Sequence, residues 1–325
     1  MRIANCGFWS AAPLRRFSHD AFPEQMKILI VGGGGRLGAA LMREYRGEHD
    51  VAGFNHAQLD LSNFDKIREK LGGTDFDVLI NAAAFTNVDL CETQPDRAFR
   101  INAEAPRVLA EICGEKNAKL IHFSTDYVFD GEKRAPYTEE DEANPISVYG
   151  ESKLAGEKNV LATGDQHLVV RVSWVFGPDR SSFIDGMIKR AQESETVDAI
   201  TDKFSTPTYT HDVAKMLSQF FDSDVEGGIL HFANAGRCSW QEYAQWALDC
   251  CDKAGLSLKS KTVGACRLKD MARLRRGYGG QAAWIARRPV YSVLSTAKYT
   301  QLTGISPRTW REAVADYITR FYSKK

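Results

Sequence analysis

Three features are missing from this sequence: an excess of charge of one sign, closely spaced cysteine pairs and long apolar runs. Lys plus Arg and Asp plus Glu both number 42 in 325 residues, so the formal net charge is zero, unlike that of a typical nucleic-acid binder. The seven cysteines form no CxxC pair, which favours free thiols in a reducing cytoplasm over disulfides or a zinc site. No apolar run approaches the ~18 residues of a membrane-spanning helix. We therefore expect a cytoplasmic protein that binds neither nucleic acid nor membrane and holds no metal.

The first 25 residues differ in composition from the rest of the chain. They hold three arginines and no acidic residue before Asp20, a pattern typical of organelle-targeting leaders. A disordered extension or an upstream start codon explains the same composition and is the interpretation favoured here. The folded chain is predicted to begin at Met26, where an apolar run reads directly as a first strand.

Short apolar runs alternate with helical patterns over residues 26–175. The runs are continuous rather than alternating, which is typical of parallel strands covered on both faces. The predicted strands are 27–31, 50–54, 77–81, 119–123 and 167–171, and the predicted helices are 36–46, 62–71, 95–116 and 149–162. This alternation predicts an α/β fold, a Rossmann-type doubly wound parallel sheet.

The regular alternation of strand and helix patterns is lost in the second half of the chain. Residues 176–325 are predicted to form a smaller C-terminal substrate-binding lobe, with some elements returning to the Rossmann domain. Helices are predicted at 181–193, 210–222, 239–254 and 309–322, and a strand at 229–232. Capping boxes at Ser239 and Thr309 support two of these helices. The basic stretch 264–288 is predicted to be an exposed loop or lid.

A glycine loop follows the first predicted strand and precedes the first predicted helix. It reads as GxxGxxG (Gly32, Gly35 and Gly38) or, from Gly33, as GxGxxG. Glycine lets the backbone approach a pyrophosphate, and the helix then directs its N-terminal amides at the phosphates. Because the loop stands in the required strand–helix context, it predicts a dinucleotide site.

Two positions bear on the choice of cofactor. The second predicted strand ends near Asn55, with no Asp or Glu to hold a ribose 2′-hydroxyl. Arg36 in the glycine loop is placed to meet a 2′-phosphate, although a solvated side chain at a helix start is an alternative. Both positions favour NADP(H), with NAD(H) left open. The small residues Ala82 and Ala84, after the third strand, would let the cofactor lie across the sheet edge.

Tyr149 and Lys153 form the one Tyr-x-x-x-Lys pair in the chain. Residues four apart share a helix face, so the ammonium is expected to lie beside the phenol and lower its pKa. A tyrosine of this kind can protonate a carbonyl oxygen. Thr125, at the end of a predicted strand, is placed to hydrogen-bond the same oxygen, or is a simple turn residue. Together with the glycine loop, these residues predict a nicotinamide-dependent reductase.

At this point the chain resembles the dTDP-4-dehydrorhamnose reductase family of the extended short-chain dehydrogenase/reductase superfamily. The resemblance covers nearly the whole chain from Met26. It is carried by residues 81–89, 124–129, 148–157, 171–177 and 288–294. The Ser-Thr-Asp-Tyr-Val-Phe string at 124–129 is specific for this family, whereas the glycine loop and the Tyr-x-x-x-Lys pair mark only the superfamily.

The resemblance implies a role for each matching residue. Tyr149 would protonate the developing alkoxide, Lys153 would lower its pKa and hold the nicotinamide ribose, and Thr125 would orient the keto oxygen. The cofactor would be lined by Gly35, Arg36 and Leu37 at the pyrophosphate, Asp60 and Leu61 at the adenine, and Ala84 and Thr86 toward the nicotinamide. Asp126, Trp174 and Arg288 would contact a nucleotide sugar, and Asn102 would stand behind the site.

The implied reaction is reduction by NADPH of the C4 keto group of a nucleotide-linked 4-keto-6-deoxysugar, with dTDP-4-dehydro-L-rhamnose as the first candidate. Two stretches depart from the family. Residues 202–208 place Lys203 and Ser205 where the family has Gln and Gly. The stretch 264–288 is longer and more basic than the family pattern. The identity of the sugar therefore stays open. The oligomeric state also stays open, with a homodimer as one alternative.

Three alternatives to this reaction remain. A sugar-nucleotide 4,6-dehydratase would need a glutamate where Tyr127 stands. Another sugar-nucleotide epimerase or reductase would share the same motifs. A non-catalytic regulatory subunit resembling the β subunit of methionine adenosyltransferase could retain Thr125, Tyr149 and Lys153.

Overall fold

The fold was analysed in a computed structural model that describes residues 25–221, 227–270 and 285–323. The predicted N-terminal extension, apart from its last residue, lies outside these ranges. So do residues 271–284 of the predicted basic loop.

A six-stranded parallel sheet forms the centre of the molecule. Its strands are β1 (Lys27–Val31), β2 (Asp50–Phe54), β3 (Val78–Asn81), β4 (Lys119–Thr125), β5 (Leu168–Val172) and β10 (Gly228–Phe232). They pair in the order β10-β5-β4-β3-β1-β2. The side chains of β1, β3 and β4 are almost entirely buried, because helices cover both faces. The predicted Rossmann-type sheet and its strands are confirmed, and the predicted strand at 229–232 joins it beside β5.

Helices connect successive strands of this sheet. They are α1 (Arg36–Tyr45), α2 (Phe64–Gly72), α3 (Val88–Thr93), α4 (Pro95–Phe99), α5 (Ala105–Glu115) and α6 (Val148–Leu161). The prediction of one continuous helix over 95–116 was wrong, because a π-helical turn at Arg100–Glu104 separates α4 from α5. Pro106 has no backbone N–H to donate to the carbonyl of Asn102, so the regular ladder cannot run through this point. The short helix α3, capped by Asn87, escaped prediction.

The remaining described elements pack into a second hydrophobic cluster. They are β6 (Val175–Phe176), α7 (Phe183–Glu193), β7 (Val197–Ile200), β8 (Phe204–Ser205), β9 (Thr208–Tyr209), α8 (Thr210–Ser218), β11 (Cys238–Ser239), α9 (Trp240–Lys253), β12 (Val263–Cys266), α10 (Ala297–Thr303) and α11 (Trp310–Phe321). Three of these elements are exceptions. Helices α8 and α10 contribute to the core of the main sheet, where α8 packs on α1 and α10 on β10, and Phe204 of β8 packs against a separate small cluster. Both capping boxes are confirmed.

Strand β12 corrects part of the predicted loop. Residues 263–266 pair in parallel with β7, so the predicted exposed stretch 264–288 begins inside a strand. The pattern was missed because the strand is short and contains Gly264, which weakens the signal for a strand.

Two further findings concern the whole described chain. None of its helices combines the length and apolar character needed to cross a membrane. The six cysteines within the described ranges are all free thiols, as predicted.

Candidate active site

The glycine loop joins β1 to α1 and can be built only from glycine at two points. Gly32 has φ of 87°, and a Cβ there would lie 2.7 Å from the backbone nitrogen of Ala83. A Cβ on Gly38 would lie 2.2 Å from the carbonyl oxygen of Gly32. The loop therefore folds tightly against the end of β3, and α1 starts at Arg36 with its first amides outside the helical ladder. A tight loop before a helix N-terminus is the geometry that the predicted phosphate site requires, and phosphate binding here stays a prediction.

A cavity of about 590 Å³ opens above the glycine loop at the carboxyl edge of the sheet. It brings together most of the predicted cofactor residues: Gly32, Gly35, Arg36, Leu37, Asn55, Asp60, Leu61, Ala82, Ala84 and Thr86. Two basic residues that the sequence did not single out, Arg97 and Arg180, also line it. Open parallel sheets bind nucleotides at this edge.

Arg36 lines the cavity but has other partners than the predicted 2′-phosphate. Its guanidinium donates to the backbone carbonyls of Val175, Arg180 and Ser181, at 3.3, 3.1 and 2.6 Å. Arg180 in turn donates to the carbonyl of Gly34 at 2.8 Å. The two arginines thus link the glycine loop to the segment after β5. The alternative of a freely solvated Arg36 side chain is wrong.

A second cavity of about 200 Å³ adjoins the first and shares Leu37, Ala82, Ala83, Ala84, Thr86 and Val175 with it. Thr125, Asp126, Tyr149, Lys153 and Trp174 line this second cavity. The predicted proton donor and its neighbours therefore stand where a group bound in the first cavity would end.

Tyr149 lies in the first turn of α6, which Ser147 caps through the amide of Gly150. Burial raises the pKa of Tyr149, and the hydrogen bond with Thr125 offsets part of that rise. The hydroxyl of Thr125 also meets Asp126 Oδ1 at 3.1 Å and accepts the amide of Tyr127 at 3.2 Å. Thr125 therefore both ends β4, as predicted, and caps the following turn.

Lys153 shares the face of α6 with Tyr149, as the four-residue spacing predicted, but its amine reaches a different partner. It is 1% exposed, and its Nζ lies 2.7 Å from the carbonyl of Phe123 and 3.2 Å from His122 Nε2. Burial lowers the pKa of Lys153 to about 8, and Glu157 opposes this shift. The predicted lowering of the Tyr149 pKa by Lys153 is not found, because burial dominates and the amine points toward β4.

Glu157 and Arg171 form a buried ion pair behind Lys153. Arg171 donates to both carboxylate oxygens at 2.9 and 2.6 Å, and Ser124 donates to one of them at 2.5 Å. The side chain of Arg171 is 3% exposed and that of Glu157 is 1% exposed. The sequence analysis missed this pair, although Glu157 follows Lys153 by four residues and so lies on the same stripe of α6.

The residues that depart from the family pattern surround Asp126. The carboxylate of Asp126 accepts from Ser173 at 3.0 Å and from Ser205 at 3.3 Å. Burial raises the pKa of Asp126, while Ser292 and the nearby Lys203 are among the groups that lower it. Lys203 is 2% exposed, donates to the carbonyl of Pro289 and lies 5.3 Å from the centre of the Tyr127 ring.

Trp174 and Arg288, predicted to contact the sugar nucleotide, have different environments. Trp174 has φ of 46°, an uncommon backbone conformation for a tryptophan, and its indole packs on Trp240 in the wall of the second cavity. Arg288 does not line either cavity. It pairs with Asp89 through both terminal nitrogens, at 3.2 and 2.7 Å.

Comparisons with known proteins extend these observations. The sequence profile described as "RmlD substrate binding domain" matches residues 26–323. The chain is 38% identical to a dTDP-4-dehydrorhamnose reductase of Mycolicibacterium smegmatis, over 90% of this chain and 85% of the relative. It is 33% identical to the spore coat polysaccharide biosynthesis protein SpsK of Bacillus subtilis, over 90% and 96%.

A solved structure is similar over nearly the same range. The dTDP-4-dehydrorhamnose reductase of Bacillus anthracis in complex with NADP matches with a TM-score of 0.82 and 28% identity, covering 91% of this chain and 99% of that chain.

Proposed function

Since this chain belongs to the RmlD substrate binding domain family, we propose that it is an NADPH-dependent reductase of sugar nucleotides. Its substrate would be a nucleotide-linked 4-keto-6-deoxysugar, dTDP-4-dehydro-L-rhamnose, which it would reduce at C4 to dTDP-L-rhamnose. The names of the relatives support the substrate, and the NADP complex of the Bacillus anthracis enzyme supports the cofactor.

One observation carries this proposal. Thr125, Tyr149 and Lys153 line a small cavity that opens into the glycine-loop cavity and shares six lining residues with it. A dinucleotide laid across the sheet edge from the glycine loop would bring its nicotinamide end to these three side chains. A phenol and a hydroxyl on one side of that point are the groups that reduction of a ketone requires.

The residues of the first cavity fit a dinucleotide phosphate. Gly32 lets the loop pack against the backbone of Ala83, where a Cβ would lie only 2.7 Å from the nitrogen, and the first turn of α1 offers backbone amides outside the helical ladder. Arg97 and Arg180 add positive charge at the same cavity, and either is suited to a phosphate by its fork of donors. When bound, NADPH supplies the hydride.

The chain's own residues orient the substrate and move the proton. Tyr149 is the proton donor to the carbonyl oxygen. Thr125 holds that oxygen by turning its one hydroxyl proton from Asp126 Oδ1 to the substrate. Lys153, as an ammonium, holds the nicotinamide ribose. Because Tyr127 replaces the glutamate of a dehydratase, elimination lacks its acid and simple reduction remains.

Recognition of the nucleotide sugar is assigned to Asp126, Trp174 and Arg288. The indole of Trp174 offers an apolar wall in the second cavity. For Arg288 to bind a diphosphate, the phosphate oxygens must compete with the carboxylate of Asp89 for the same guanidinium face. Of the three residues, Arg288 therefore needs the largest rearrangement.

The proposal is tested by following NADPH absorbance with purified protein and a panel of 4-keto nucleotide sugars, repeated with NADH. We expect oxidation to be fastest with dTDP-4-dehydro-L-rhamnose and NADPH. A faster reaction with another sugar nucleotide would overturn the substrate assignment but retain the reductase. Binding of NADPH with no oxidation on any sugar, together with a captured partner enzyme, would instead support the regulatory subunit.

A further inference from the structure

A chain of three polar side chains runs from the end of β3 through β4 to α6. Asn81 Nδ2 lies 3.0 Å from His122 Nδ1, and His122 Nε2 lies 3.2 Å from Lys153 Nζ. Asn81 and His122 are 0% exposed and Lys153 is 1% exposed. Asn81 and His122 are therefore closed to bulk solvent and must be satisfied by protein partners, while Lys153 also borders the second cavity.

The direction of these hydrogen bonds follows from a backbone amide. The N–H of Ala83 donates to Asn81 Oδ1 at 3.1 Å, so this atom is the amide oxygen and the other is the NH₂ group. Asn81 Nδ2 is then a donor, and His122 Nδ1 must accept. Burial lowers the pKa of His122, with Lys153 as the second cause, so the ring is neutral. Its single proton is therefore on Nε2, which faces Lys153.

A protonated Lys153 does not suit this arrangement. An ammonium has three donors and no lone pair, so His122 Nε2–H and Lys153 would oppose each other as two donors. A neutral amine resolves the conflict, because its lone pair accepts from Nε2–H while one N–H still donates to the carbonyl of Phe123. The geometry of the three side chains thus favours the uncharged amine.

The other ionisable groups near Lys153 do not restore its charge. From its own helix it is faced by Tyr149 and by Glu157, which favours the ammonium. The carboxylate of Glu157 is already shared by Arg171 of β5 and Ser124 of β4. The other ionisable residue lining the second cavity is Asp126, on the far side of Thr125.

We propose that Asn81 and His122 favour the neutral amine of Lys153, so that in alkaline solution binding of the anionic cofactor is coupled to the uptake of one proton by Lys153. This inference rests on the proposed function, in which Lys153 meets the nicotinamide ribose as an ammonium. The proton comes from solvent and ends on Nζ, and no bond of the cofactor changes. Asn81 and His122 are positioning residues, since they act through Lys153.

The coupling has a defined pH dependence. Because the pKa of Lys153 is lowered to about 8, most of the amine is already charged at pH 7, and uptake there is small. At pH 9 most of the amine is neutral, and uptake approaches one proton per cofactor bound. The Kd for NADPH should rise by about fivefold from pH 8 to pH 9 and by nearly tenfold from pH 9 to pH 10, as the slope approaches that for linkage to one proton.

The test is calorimetric titration of the full chain with NADPH at pH 7 and pH 9, in two buffers of different ionisation enthalpy. The difference between buffers gives the number of protons taken up. The wild type should take up fewer than about 0.3 protons at pH 7 and more than about 0.7 at pH 9. Asn81→Asp retains an acceptor for Ala83 N–H but places a carboxylate against His122 Nδ1, which moves the proton to Nδ1.

In Asn81→Asp the free lone pair of Nε2 accepts from a Lys153 ammonium, so uptake at pH 9 should fall below about 0.3 protons. Asn63→Asp makes the same chemical change at the N-cap of α2, outside both cavities, and it should retain the wild-type uptake. Equal uptake in wild type and Asn81→Asp would overturn the inference. So would NADPH binding by the wild type with no uptake at pH 9, although the proposed function would stand. Absence of NADPH binding would overturn both.

A measurement on the wild-type protein does not depend on the folding of Asn81→Asp. Nitrogen-15 NMR of labelled histidines at pH 9 distinguishes the two tautomers, and the His122 signals are identified by their loss in His122→Gln. A proton on Nε2 supports the inference, and a proton on Nδ1 overturns it.

Discussion

Replacing Arg171 by methionine would isolate a buried charge next to the proposed active site. The guanidinium makes two hydrogen bonds with Glu157, at 2.9 and 2.6 Å, and the two side chains are 3% and 1% exposed. Methionine has a similar reach and no charge. Among the described residues, the variant leaves the Glu157 carboxylate with the hydroxyl of Ser124 as its hydrogen-bond partner and with Lys153 as a nearby base. The cost is therefore that of a buried ion that has lost its paired cation and not that of one lost hydrogen bond.

Because water cannot screen this pair, Arg171→Met should lower the free energy of unfolding by about 3–5 kcal/mol. Equilibrium urea denaturation, monitored by tryptophan fluorescence and circular dichroism, measures this difference. A matched control is Arg320→Met, which breaks an exposed pair with Asp316 on one face of α11. Since Arg320 is 49% exposed, that change should cost less than about 1 kcal/mol.

The double variant Arg171→Met, Glu157→Gln distinguishes the cost of an isolated buried charge from the cost of altered packing. Removing both charges should recover at least about 1 kcal/mol relative to Arg171→Met alone, because no isolated ion remains. A cost below about 1 kcal/mol for Arg171→Met, or a double variant less stable than the single one, would refute the reasoning.

Three further predictions concern the site itself. Tyr149→Phe should lower kcat by about 10²–10⁴-fold in the NADPH assay while leaving the Kd for NADPH within a few fold, and near-normal turnover would contradict its role as proton donor. Lys203→Gln should move the acid limb of the kcat/KM profile to higher pH. Burial raises the pKa of Asp126 and Lys203 lowers it, so without Lys203 the carboxylate takes up its proton at a higher pH. An unchanged acid limb would mean that the protonation of Asp126 does not control kcat/KM. Asp89→Asn should speed hydrogen exchange at the amides of Ile285 and Ala286 by about tenfold or more, since both donate to this carboxylate, whereas unchanged exchange rates would mean that other contacts hold the segment.

The main sheet was predictable because its strands are short, apolar and covered on both faces. The run 27–31 has one structural interpretation, and β1 matches it at both ends. Residues 95–116 show where such patterns fail: their apolar spacing fits one helix, but Pro106 opens a π-helical turn inside it. Strand β7 was missed because its partner β12 is more than sixty residues away, and such pairing leaves no local signal.

The candidate site was predictable at the level of motifs and not of contacts. The spacing of Tyr149 and Lys153 placed both on one helix face, and Thr125 ends β4 as expected. The direction of the Lys153 amine could not be predicted, because it depends on His122 of another strand. The same holds for Lys203, whose carbonyl partner is 86 residues away in the sequence. Chain patterns identify which residues meet at a sheet edge, whereas the hydrogen-bond partners are set by the packed fold.

The position of Arg36 has a consequence for redesign of cofactor preference. Changing the charged residues of a glycine loop is a direct way to exchange NADPH for NADH, and Arg36 is the obvious residue to replace. Its guanidinium, however, fastens the loop to three carbonyls between Val175 and Ser181. A substitution of Arg36 made to change cofactor selectivity would therefore also weaken the contact between the glycine loop and the segment from Val175 to Ser181. Arg97 and Arg180 are two other cations of the same cavity that could be replaced instead. Arg180 donates to the carbonyl of Gly34 in the glycine loop, whereas Arg97 donates to Gln94.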